Sequence, residues 1–362
     1  MFSSLTFLVS AALTSAVTVT NTSQPFVVWN TLDSNCTGPL DLPDVPPRGF
    51  VDNNNVTHLV SSDTTSRISY GPSILNNTRN CSVVFNSTVS PTPTLFATNE
   101  FLDATYAFPN GTVYALLHVE YPGMNYNQCP PNVTYPYCWT VSVTLAVSHD
   151  WGYTWAHALP PPRHLVATPP YPYNGSATQL NPGWGDSSGI VRSPKDGFFY
   201  AVVHNRFPHA LQGNGSCVMR TADLSNPASW RGWNGTAFGV SFVSPYTMAP
   251  GTAGEHVCQV LDIPDCVMLG MVYSVYLDAF VGSLACGDKN GGDSGSVFWY
   301  STSEDAVTWS KPAAMFVPPF PPHVHFYSYP TLMDPSAPAR GDRNFETIGQ
   351  NATLFYVSVT YD

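Results

Sequence analysis

Charged side chains are scarce in this 362-residue sequence, because Asp, Glu, Lys and Arg together make up only 10% of it. So small a charged fraction disfavours a helical bundle, whose exposed faces need many charged residues. Basic residues are the scarcest, with 13 Lys and Arg against 24 Asp and Glu, and they form no visible stripe. We therefore expect no nucleic-acid partner and no attraction to anionic membranes.

Long apolar stretches are absent beyond the N-terminus, so the sequence predicts no transmembrane helix and no membrane insertion. The first 16 residues have an apolar centre and end in small residues, although they contain no Lys or Arg. This pattern indicates a signal peptide at residues 1–16. Because large β domains often exceed 200 residues, we expect residues 17–362 to form a single secreted domain that acts as a monomer.

CxxC pairs of the zinc or redox type are absent among the eight cysteines, so disulfide bonds are expected. Spacing cannot fix their connectivity, and our prediction is Cys36–Cys81, Cys129–Cys138, Cys217–Cys258 and Cys266–Cys286. Asn-x-Ser/Thr sequons are frequent and indicate a glycosylated surface. They begin at Asn21, Asn35, Asn55, Asn76, Asn80, Asn86, Asn110, Asn132, Asn174, Asn214, Asn234 and Asn351.

Proline and glycine are plentiful, with 34 and 26 residues scattered between short apolar runs, which indicates many strands and turns. One pattern recurs five times: an acidic or polar residue opens a strand, and a turn leads into a strongly apolar second strand. The opening residues are Asp44, Asp103, Asp186, Glu255 and Tyr329. Such repeats predict an all-β, five-bladed β-propeller, with a β-sandwich as the alternative. We expect residues near Val17 to Trp29 to complete the last blade and close the ring.

A third strand that ends in an Asp turn and a Trp accompanies the repeat. It appears as SHDWGYTW from Ser148 to Trp155, and in looser form as STSEDAVTW and TADLSNPASW. The first stretch resembles the Asp-box of sialidases and other propellers, a turn on the outer part of the blade. We interpret Asp150 as structural, because an Asp at a turn accepts backbone N–H bonds.

The wider chain resembles secreted propellers allied to sialidases and to five-bladed arabinanase-type glycosidases. DVPPRGF, LLHVEYPG and SYPTLMDP belong to this resemblance. It implies that ligands gather at one mouth of a central channel, near the starts of inner strands and the ends of second strands. The residues expected there are Asp44, Asp103, Asp186, Glu255 and Tyr329, then His118, Glu120, His204 and Arg206, with Arg48 and Arg67 nearby.

Glycoside hydrolysis needs two carboxyl groups, one as acid and one as base or nucleophile. The resemblance implies Asp44 as base, Asp103 or Asp186 as its orienting partner, and Glu120 or Glu255 as acid. Arg48, Arg67, His118, His204, Arg206 and Tyr329 are expected to bind substrate. The sequence therefore predicts a secreted glycoside hydrolase that acts on carbohydrate.

Other interpretations remain open. An Asp or Glu at a strand start is often only a turn former, so a carbohydrate-binding protein without catalysis is the alternative. A sialidase is a lesser alternative, because it needs three arginines and a Tyr activated by Glu. Arg48 and Arg67 with Arg206 or Arg343, and Glu255 with Tyr329 or Tyr327, are the residues for it. We assign no cofactor and no metal, interpret DKNGGDSG from Asp288 as a polar turn, and discount Ser187 as a nucleophile.

Overall fold

The computed structural model describes residues 19–20, 25–30, 36, 41–131, 133, 137–175, 183–287, 297–317 and 325–360. The predicted signal peptide and the DKNGGDSG turn lie outside the described residues. Within the described part, strands and loops dominate, and the helices are short 3-10 turns. None of these is long and apolar enough to span a membrane.

Two antiparallel sheets form the first half of the chain. The first blade and its flanking strand pair contain β1 (Arg48–Val51), β2 (Thr57–Val60), β3 (Thr65–Ser66), β4 (Ile68–Ser73), β5 (Asn76–Arg79) and β6 (Phe85–Asn86). The second blade contains β7 (Glu100–Ala107), β8 (Val113–Pro122), β9 (Trp139–Ser148), β10 (Ala156–His157) and β11 (Leu165–Ala167). The strand orders are β1-β2-β4-β5 and β7-β8-β9-β10, with β3 paired to β6 and β11 to β9.

The second half continues in the same way. The third blade contains β12 (Trp184–Gly185), β13 (Val191–Arg192), β14 (Phe199–Asn205), β15 (Gly215–Thr221), β16 (Arg231–Trp233) and β17 (Phe238–Ser241). The fourth contains β18 (Cys266–Ser274), β19 (Ala279–Cys286), β20 (Phe298–Ser303) and β21 (Ala313–Phe316). The C-terminal region contains β22 (His325–Met333), β23 (Thr347–Ile348) and β24 (Thr353–Thr360). Strands β22 and β24 pair with each other, whereas β23 joins β18 in parallel.

Apolar side chains on neighbouring sheets bury each other, because inner strands such as β7 and β18 and second strands such as β14 are buried on both faces of their sheets. One cluster joins the first and second blades, the next joins the second and third, and further clusters join the third to the fourth and the fourth to the C-terminal sheet. They include Val60 with Leu117, Leu145 with Val203, Val218 with Leu284, and Val281 with Tyr327. This face-to-face series of sheets is an all-β propeller arrangement.

The prediction of five complete blades is not confirmed. Four blades have four or more strands, and the C-terminal sheet has only β22 and β24 among the described residues. The expected closing strand near Val17 to Trp29 is not seen either, since residues 19–20 and 25–30 contain no strand. The rest of that segment lies outside the described residues. Trp29 instead packs under the guanidinium of Arg79, 4.6 Å from the ring centroid, at the edge of the first blade.

The placement of Glu255 at the start of an inner strand is wrong. Glu255 lies exposed on the 3-10 turn Ala253–His256, and the inner strand of the fourth blade begins at Cys266. The apolar residues after Glu255 belong to the third blade, because the Cys217–Cys258 disulfide and the hydrogen bond from Leu261 N to Ser216 O hold them there. A covalent bond to the preceding blade therefore overrides the repeat pattern.

All four predicted disulfides are confirmed. They are Cys36–Cys81, Cys129–Cys138, Cys217–Cys258 and Cys266–Cys286. The last of these cross-links directly opposite residues of β18 and β19. Each bond therefore ties residues within one blade or at its edge.

Residues 342–348 hydrogen-bond to the ends of the inner strands, on the side of the propeller that we call the lower end. Arg343 O accepts from Val51 N at 2.8 Å, and Asn344 Oδ1 accepts from Ala107 N at 2.7 Å. Glu346 Oε2 accepts from Arg192 N at 2.5 Å, and its carbonyl accepts from Tyr273 N at 2.8 Å. These donors lie at or next to the ends of the inner strands of all four blades. The opposite, upper end, where the inner strands begin, is therefore the end at which a ligand site is to be sought.

The SHDWGYTW turn lies between β9 and β10, on the outer part of the second blade. Asp150 accepts from Ser148 Oγ at 2.7 Å and from Thr154 N and Oγ1 at 2.9 and 2.7 Å. Trp155 donates its indole N–H to Gly152 O and is buried between the first and second blades. Asp305 makes the matching bonds in the fourth blade. Both carboxylates serve their own turns, which supports the structural interpretation of Asp150.

Replacement Asp150→Ala is expected to destabilise the protein by about 1–3 kcal/mol, because several hydrogen bonds to a charged acceptor are lost. The free energy of unfolding from urea titration measures this change. Glu304→Ala, which removes an exposed carboxylate beside the fourth-blade turn, serves as the control and is expected to stay within about 0.5 kcal/mol of the wild type. An Asp150→Ala protein as stable as the control would contradict the structural role.

His58 makes stability depend on pH. It is fully buried against Phe50, with ring centroids 4.4 Å apart, and burial lowers its pKa from 6.5 to about 4 despite the nearby Asp52. As the pH falls, the imidazole is protonated in the unfolded chain before it is protonated in the folded protein. The free energy of unfolding therefore decreases as the pH falls from 6.5 towards 4, by up to about 3 kcal/mol. His58→Gln is expected to lose less stability than the wild type between pH 7 and pH 4.5, as measured by urea titration at each pH. The exposed His149, changed to Gln, is the control, and equal pH slopes in both variants would refute the assignment.

Candidate active site

Arg48 lies at the centre of the propeller, where its guanidinium touches every other sheet. It donates to Thr331 Oγ1 in the C-terminal sheet, to Ser187 O in the third blade and to Leu269 O in the fourth, each at 2.7 Å. Its Nη2 also lies 4.0 Å from Asp103 Oδ1 in the second blade. Burial lowers the pKa of Arg48 to about 10 and Asp103 opposes this, so the group stays charged at neutral pH. These contacts occupy Arg48 and make it a structural hub instead of the predicted substrate-binding residue.

Irregularities in the inner strands create the space around this hub. The register shifts between Leu102 and Ala104 in β7, between Met268 and Gly270 in β18, and between Ser328 and Thr331 in β22. Such bulges re-aim a side chain or a backbone group. Here the irregular segments supply the Asp103 carboxylate and the Leu269 carbonyl that face Arg48.

Asp103 is inaccessible to solvent, with no exposed side-chain area. Its Oδ2 accepts from Ser187 N at 2.7 Å. Burial raises the pKa of Asp103 to about 6, although Arg48 and His118 act against the rise. Because it does not reach solvent, Asp103 fits a positioning role better than direct contact with a substrate.

His118 links three carboxylates at the upper end of the second blade. Its Nε2 lies 3.3 Å from Glu120 Oε1, and its Nδ1 accepts from Asp186 N at 3.2 Å. Burial acts to lower the pKa of His118, but Glu120, Asp186 and Asp103 outweigh it and raise that pKa. Because Nδ1 accepts from Asp186 N, the ring proton lies on Nε2, facing Glu120. The ring packs so closely on the third blade that a Cβ at Gly185 would lie 2.6 Å from its Cε1. His118 is therefore fixed between the two blades.

Asp186 forms a bidentate ion pair with Arg206. Arg206 Nε donates to Oδ2 at 3.0 Å and Nη2 to Oδ1 at 3.1 Å, and its guanidinium lies 6.0 Å from the Trp139 ring. Burial acts to raise the pKa of Asp186, but the charge and the hydrogen bonds of Arg206 hold it below its usual value. The carboxylate is thus ionised and already neutralised within the protein.

His204 lies below this pair and is nearly fully buried. Its Nδ1 lies 3.2 Å from Ser216 Oγ, and its Nε2 has no hydrogen-bond partner among the described residues. Burial lowers the pKa of His204 to about 4, Arg206 adds to this effect, and Asp186 opposes it. His204 is therefore a neutral ring at physiological pH.

Asp44 and Glu120 are the carboxylates of the predicted set that reach solvent at the upper end. Asp44 is exposed just before β1, and the Tyr329 hydroxyl donates to its Oδ1 at 3.0 Å. Glu120 has 29% of its side chain exposed beside His118. Tyr329 is buried with a φ of 60° at the irregular point of β22, which turns its hydroxyl towards the first blade. Both carboxylates are thus oriented by a neighbour and remain accessible.

Several predicted residues do not join this group. Arg67 donates to Cys81 O at 3.2 Å and lies 3.9 Å from Asp41, so it supports the edge of the first blade. Glu255 is on the surface turn described above, and Arg343 binds backbone at the lower end. The three arginines and the Glu–Tyr pair that a sialidase needs are therefore not brought together. Ser187 has no exposed area, which agrees with discounting it as a nucleophile.

Two residues at the site were missed by sequence reasoning. Thr331 binds Arg48, and Trp139 lies under Arg206. Thr331 carries no signal in the sequence, because an isolated Thr in a strand is ordinary. Trp139 opens an apolar strand next to Cys138, and its position at the start of a third strand could have indicated the upper end.

No protein-family model matches this chain, and no curated protein matches it. Among solved structures it is similar to an α-L-arabinanase from Cellvibrio cellulosa, with 10% identity over 89% of this chain and 93% of that one, at a TM-score of 0.46. An endo-arabinase from Bacteroides thetaiotaomicron is 9% identical to this chain. The match covers 90% of this chain and 96% of that one, at a TM-score of 0.43. An exo-β-1,3-galactanase from Phanerochaete chrysosporium is 9% identical to this chain, at a TM-score of 0.42. The match covers 74% of this chain and 49% of the galactanase, so this chain spans about half the length of that enzyme. At these values we base no conclusion about function on the similarity.

Removal of the hub is expected to destabilise the whole propeller. Arg48→Met leaves Asp103 buried without its cation, and the loss of one partner from a buried pair costs about 3–5 kcal/mol. Urea titration measures the single variant against Arg48→Met/Asp103→Leu, which removes both charges and is expected to recover part of the loss. A single variant within about 1 kcal/mol of the wild type would show that the hub is dispensable.

Proposed function

We propose that this protein is a secreted glycoside hydrolase whose site lies at the upper end of the channel and uses Asp44 and Glu120. The observation that carries the proposal is the accessibility of these two carboxylates beside groups that orient them. Hydrolysis of a glycosidic bond uses two carboxyl groups, one on either side of the scissile bond. Asp44 precedes the inner strand of the first blade, and Glu120 ends the second strand of the next blade, so both belong to neighbouring blades at one end.

Glu120 is the proposed proton donor. His118 Nδ1 accepts from Asp186 N, so its ring proton lies on Nε2, 3.3 Å from Glu120 Oε1. In this role Glu120 is protonated and gives its own proton to the leaving sugar oxygen, and the Nε2–H of His118 donates to the carboxylate that forms. Asp44, which accepts a hydrogen bond from Tyr329, is the proposed base or nucleophile.

Asp103 and Asp186 are proposed positioning residues. Asp186 holds His118 through its backbone N–H and is itself held by Arg206. Asp103 binds Ser187 N, the residue next to Asp186. The buried charges therefore fix the ring that serves Glu120 without touching the substrate.

A carbohydrate-binding protein without catalysis is the second candidate. It is favoured by the ion pairing of the two deepest carboxylates, since Asp186 is engaged twice by Arg206 and Asp103 faces Arg48. Carboxylates that are paired with arginines in this way are poor acids or bases. A propeller can host either function, so activity has to decide between them.

Secretion and N-glycosylation are part of the proposal. The four disulfides favour an oxidising compartment. The sequon asparagines that fall within the described residues are all exposed, as attached glycans require: Asn55, Asn76, Asn80, Asn86, Asn110, Asn174, Asn214, Asn234 and Asn351. The leader at residues 1–16 and the single domain at residues 17–362 are kept as proposals.

A fifth blade built on β22 and β24 is also proposed. Val51 and Leu59 of the first blade share a buried cluster with Met333 and Phe355 of the C-terminal sheet. The same kind of packing joins the other neighbouring blades. This contact supports a ring in which the last sheet lies against the first.

Turnover of a panel of aryl glycosides and oligosaccharides tests the proposal. Asp44→Asn and Glu120→Gln are each expected to lower kcat by at least about 100-fold in folded protein, because each removes one proton-transfer or nucleophilic group. Glu255→Gln is expected to keep its activity, since Glu255 is exposed outside the site. Glu304→Gln is the matched control for loss of a distant surface carboxylate.

The outcomes separate the two candidates. Full activity in both Asp44→Asn and Glu120→Gln would reject these residues as the catalytic pair. No turnover of any panel member by the wild type, together with glycan binding by all variants, would favour the carbohydrate-binding protein. Loss of turnover in Glu255→Gln but not in Glu120→Gln would make Glu255 the acid instead of Glu120.

A further inference from the structure

A second polar cluster lies apart from the candidate active site, near the junction of the first and second blades. Glu100, His157 and His164 each offer one ligand atom, and these three atoms lie within 4.8 Å of one another. They come from three segments: the start of β7, the strand β10, and the residue before β11. We propose that they bind a divalent transition-metal ion of the Zn²⁺ type.

The distances place both imidazole rings around one carboxylate oxygen. Glu100 Oε1 lies 2.6 Å from His157 Nε2 and 4.0 Å from His164 Nε2. The two rings are 4.5 Å apart between centroids. A cation that replaces the shared proton of the Glu100–His157 contact needs only small side-chain movements to reach all three groups.

The carboxylate is prepared for this role by its other contacts. Glu100 Oε2 accepts from Thr88 N at 3.0 Å and from Thr88 Oγ1 at 2.7 Å. These bonds fix the carboxylate and leave Oε1 turned towards the histidines. Hydrogen bonds that orient a ligand in this way are typical of metal sites in proteins.

His164 has a ring nitrogen without a partner. The side chain is fully buried, its Nε2 lies 3.2 Å from Phe96 O, and its Nδ1 has no hydrogen bond among the described residues. Buried polar atoms are rarely left in this state. The nitrogen that faces Glu100 is Nε2, so a bound ion takes the Nε2 lone pair, the ring proton lies on Nδ1, and the contact with Phe96 O is given up.

The donor set selects the class of ion. Two imidazoles and one carboxylate suit Zn²⁺ and its neighbours, whereas Ca²⁺ and Mg²⁺ prefer oxygen ligands. His157 keeps 14% of its side chain exposed, so an ion has a path from solvent. Thr88 follows β6, and the Phe85 ring of β6 lies 6.0 Å from His157. A bound ion would thus fasten β7, the strand that carries Asp103, to the loop between the blades.

Cobalt binding to chelator-treated protein tests the site, since Co²⁺ reports its coordination by visible absorption. The wild type is expected to bind one Co²⁺ per chain, to release it to Zn²⁺, and to melt at a higher temperature with either ion. His157→Gln, at a partly exposed position, is expected to fold and to bind at least about 10–100-fold more weakly, without the rise in melting temperature. The exposed His149, changed to Gln, is the control and is expected to bind as the wild type does.

Two results would overturn the proposal. One is a wild type that shows no Co²⁺ absorption and no Zn²⁺-dependent melting shift. The other is binding that survives in His157→Gln but disappears in His323→Gln/His325→Gln, since these two histidines lie two residues apart in the sequence. Glycoside turnover is not the readout, so this test stands whatever the outcome for Asp44 and Glu120.

Discussion

The buried guanidinium of Arg48 is the interaction on which the rest of the structure depends. It binds Thr331, Ser187 and Leu269 and faces Asp103, so one cation from the first blade contacts the four other sheets. Burial of a charge is costly unless it is paired and hydrogen-bonded, and only the converging inner strands supply enough acceptors here. The central packing of the sheets and the charge of Arg48 are therefore satisfied together.

The candidate site is built outward from this hub. Ser187 accepts from Arg48 and donates to Asp103, and its neighbour Asp186 binds both Arg206 and His118. His118 in turn contacts Glu120, the carboxylate that reaches solvent. Residues 342–348 bind the opposite ends of the inner strands, so the proposed site lies at the upper end. The buried charged groups are thus paired within the protein, whereas the carboxylate that reaches solvent remains accessible.

Features that depend on a short stretch of sequence were predictable. Features that depend on where a residue falls within the blade repeat were predictable only in part. The structural turn at Asp150 was predicted, because its motif contains its own hydrogen bonds. The four disulfide pairs were also predicted correctly, although spacing alone left their connectivity open. Asp103, His118, Glu120, Asp186, His204 and Arg206 were also predicted to converge, and they do. Glu255 was misplaced, since an acidic residue before an apolar run resembles a strand start even when a disulfide holds that run on the preceding blade.

The strand-rich, propeller-like architecture and the set of polar residues at one end of the inner strands could be derived from the sequence alone, whereas the cysteine pairing could not be fixed by it. The role of each charged side chain depends on the tertiary structure. Arg48 and Thr331 are 283 positions apart, and no local pattern relates them. Whether a carboxylate is an accessible reactant like Glu120 or half of a buried ion pair like Asp186 depends on which groups the packed blades bring to it. That choice follows from desolvation and distance, which exist only once the sheets have packed.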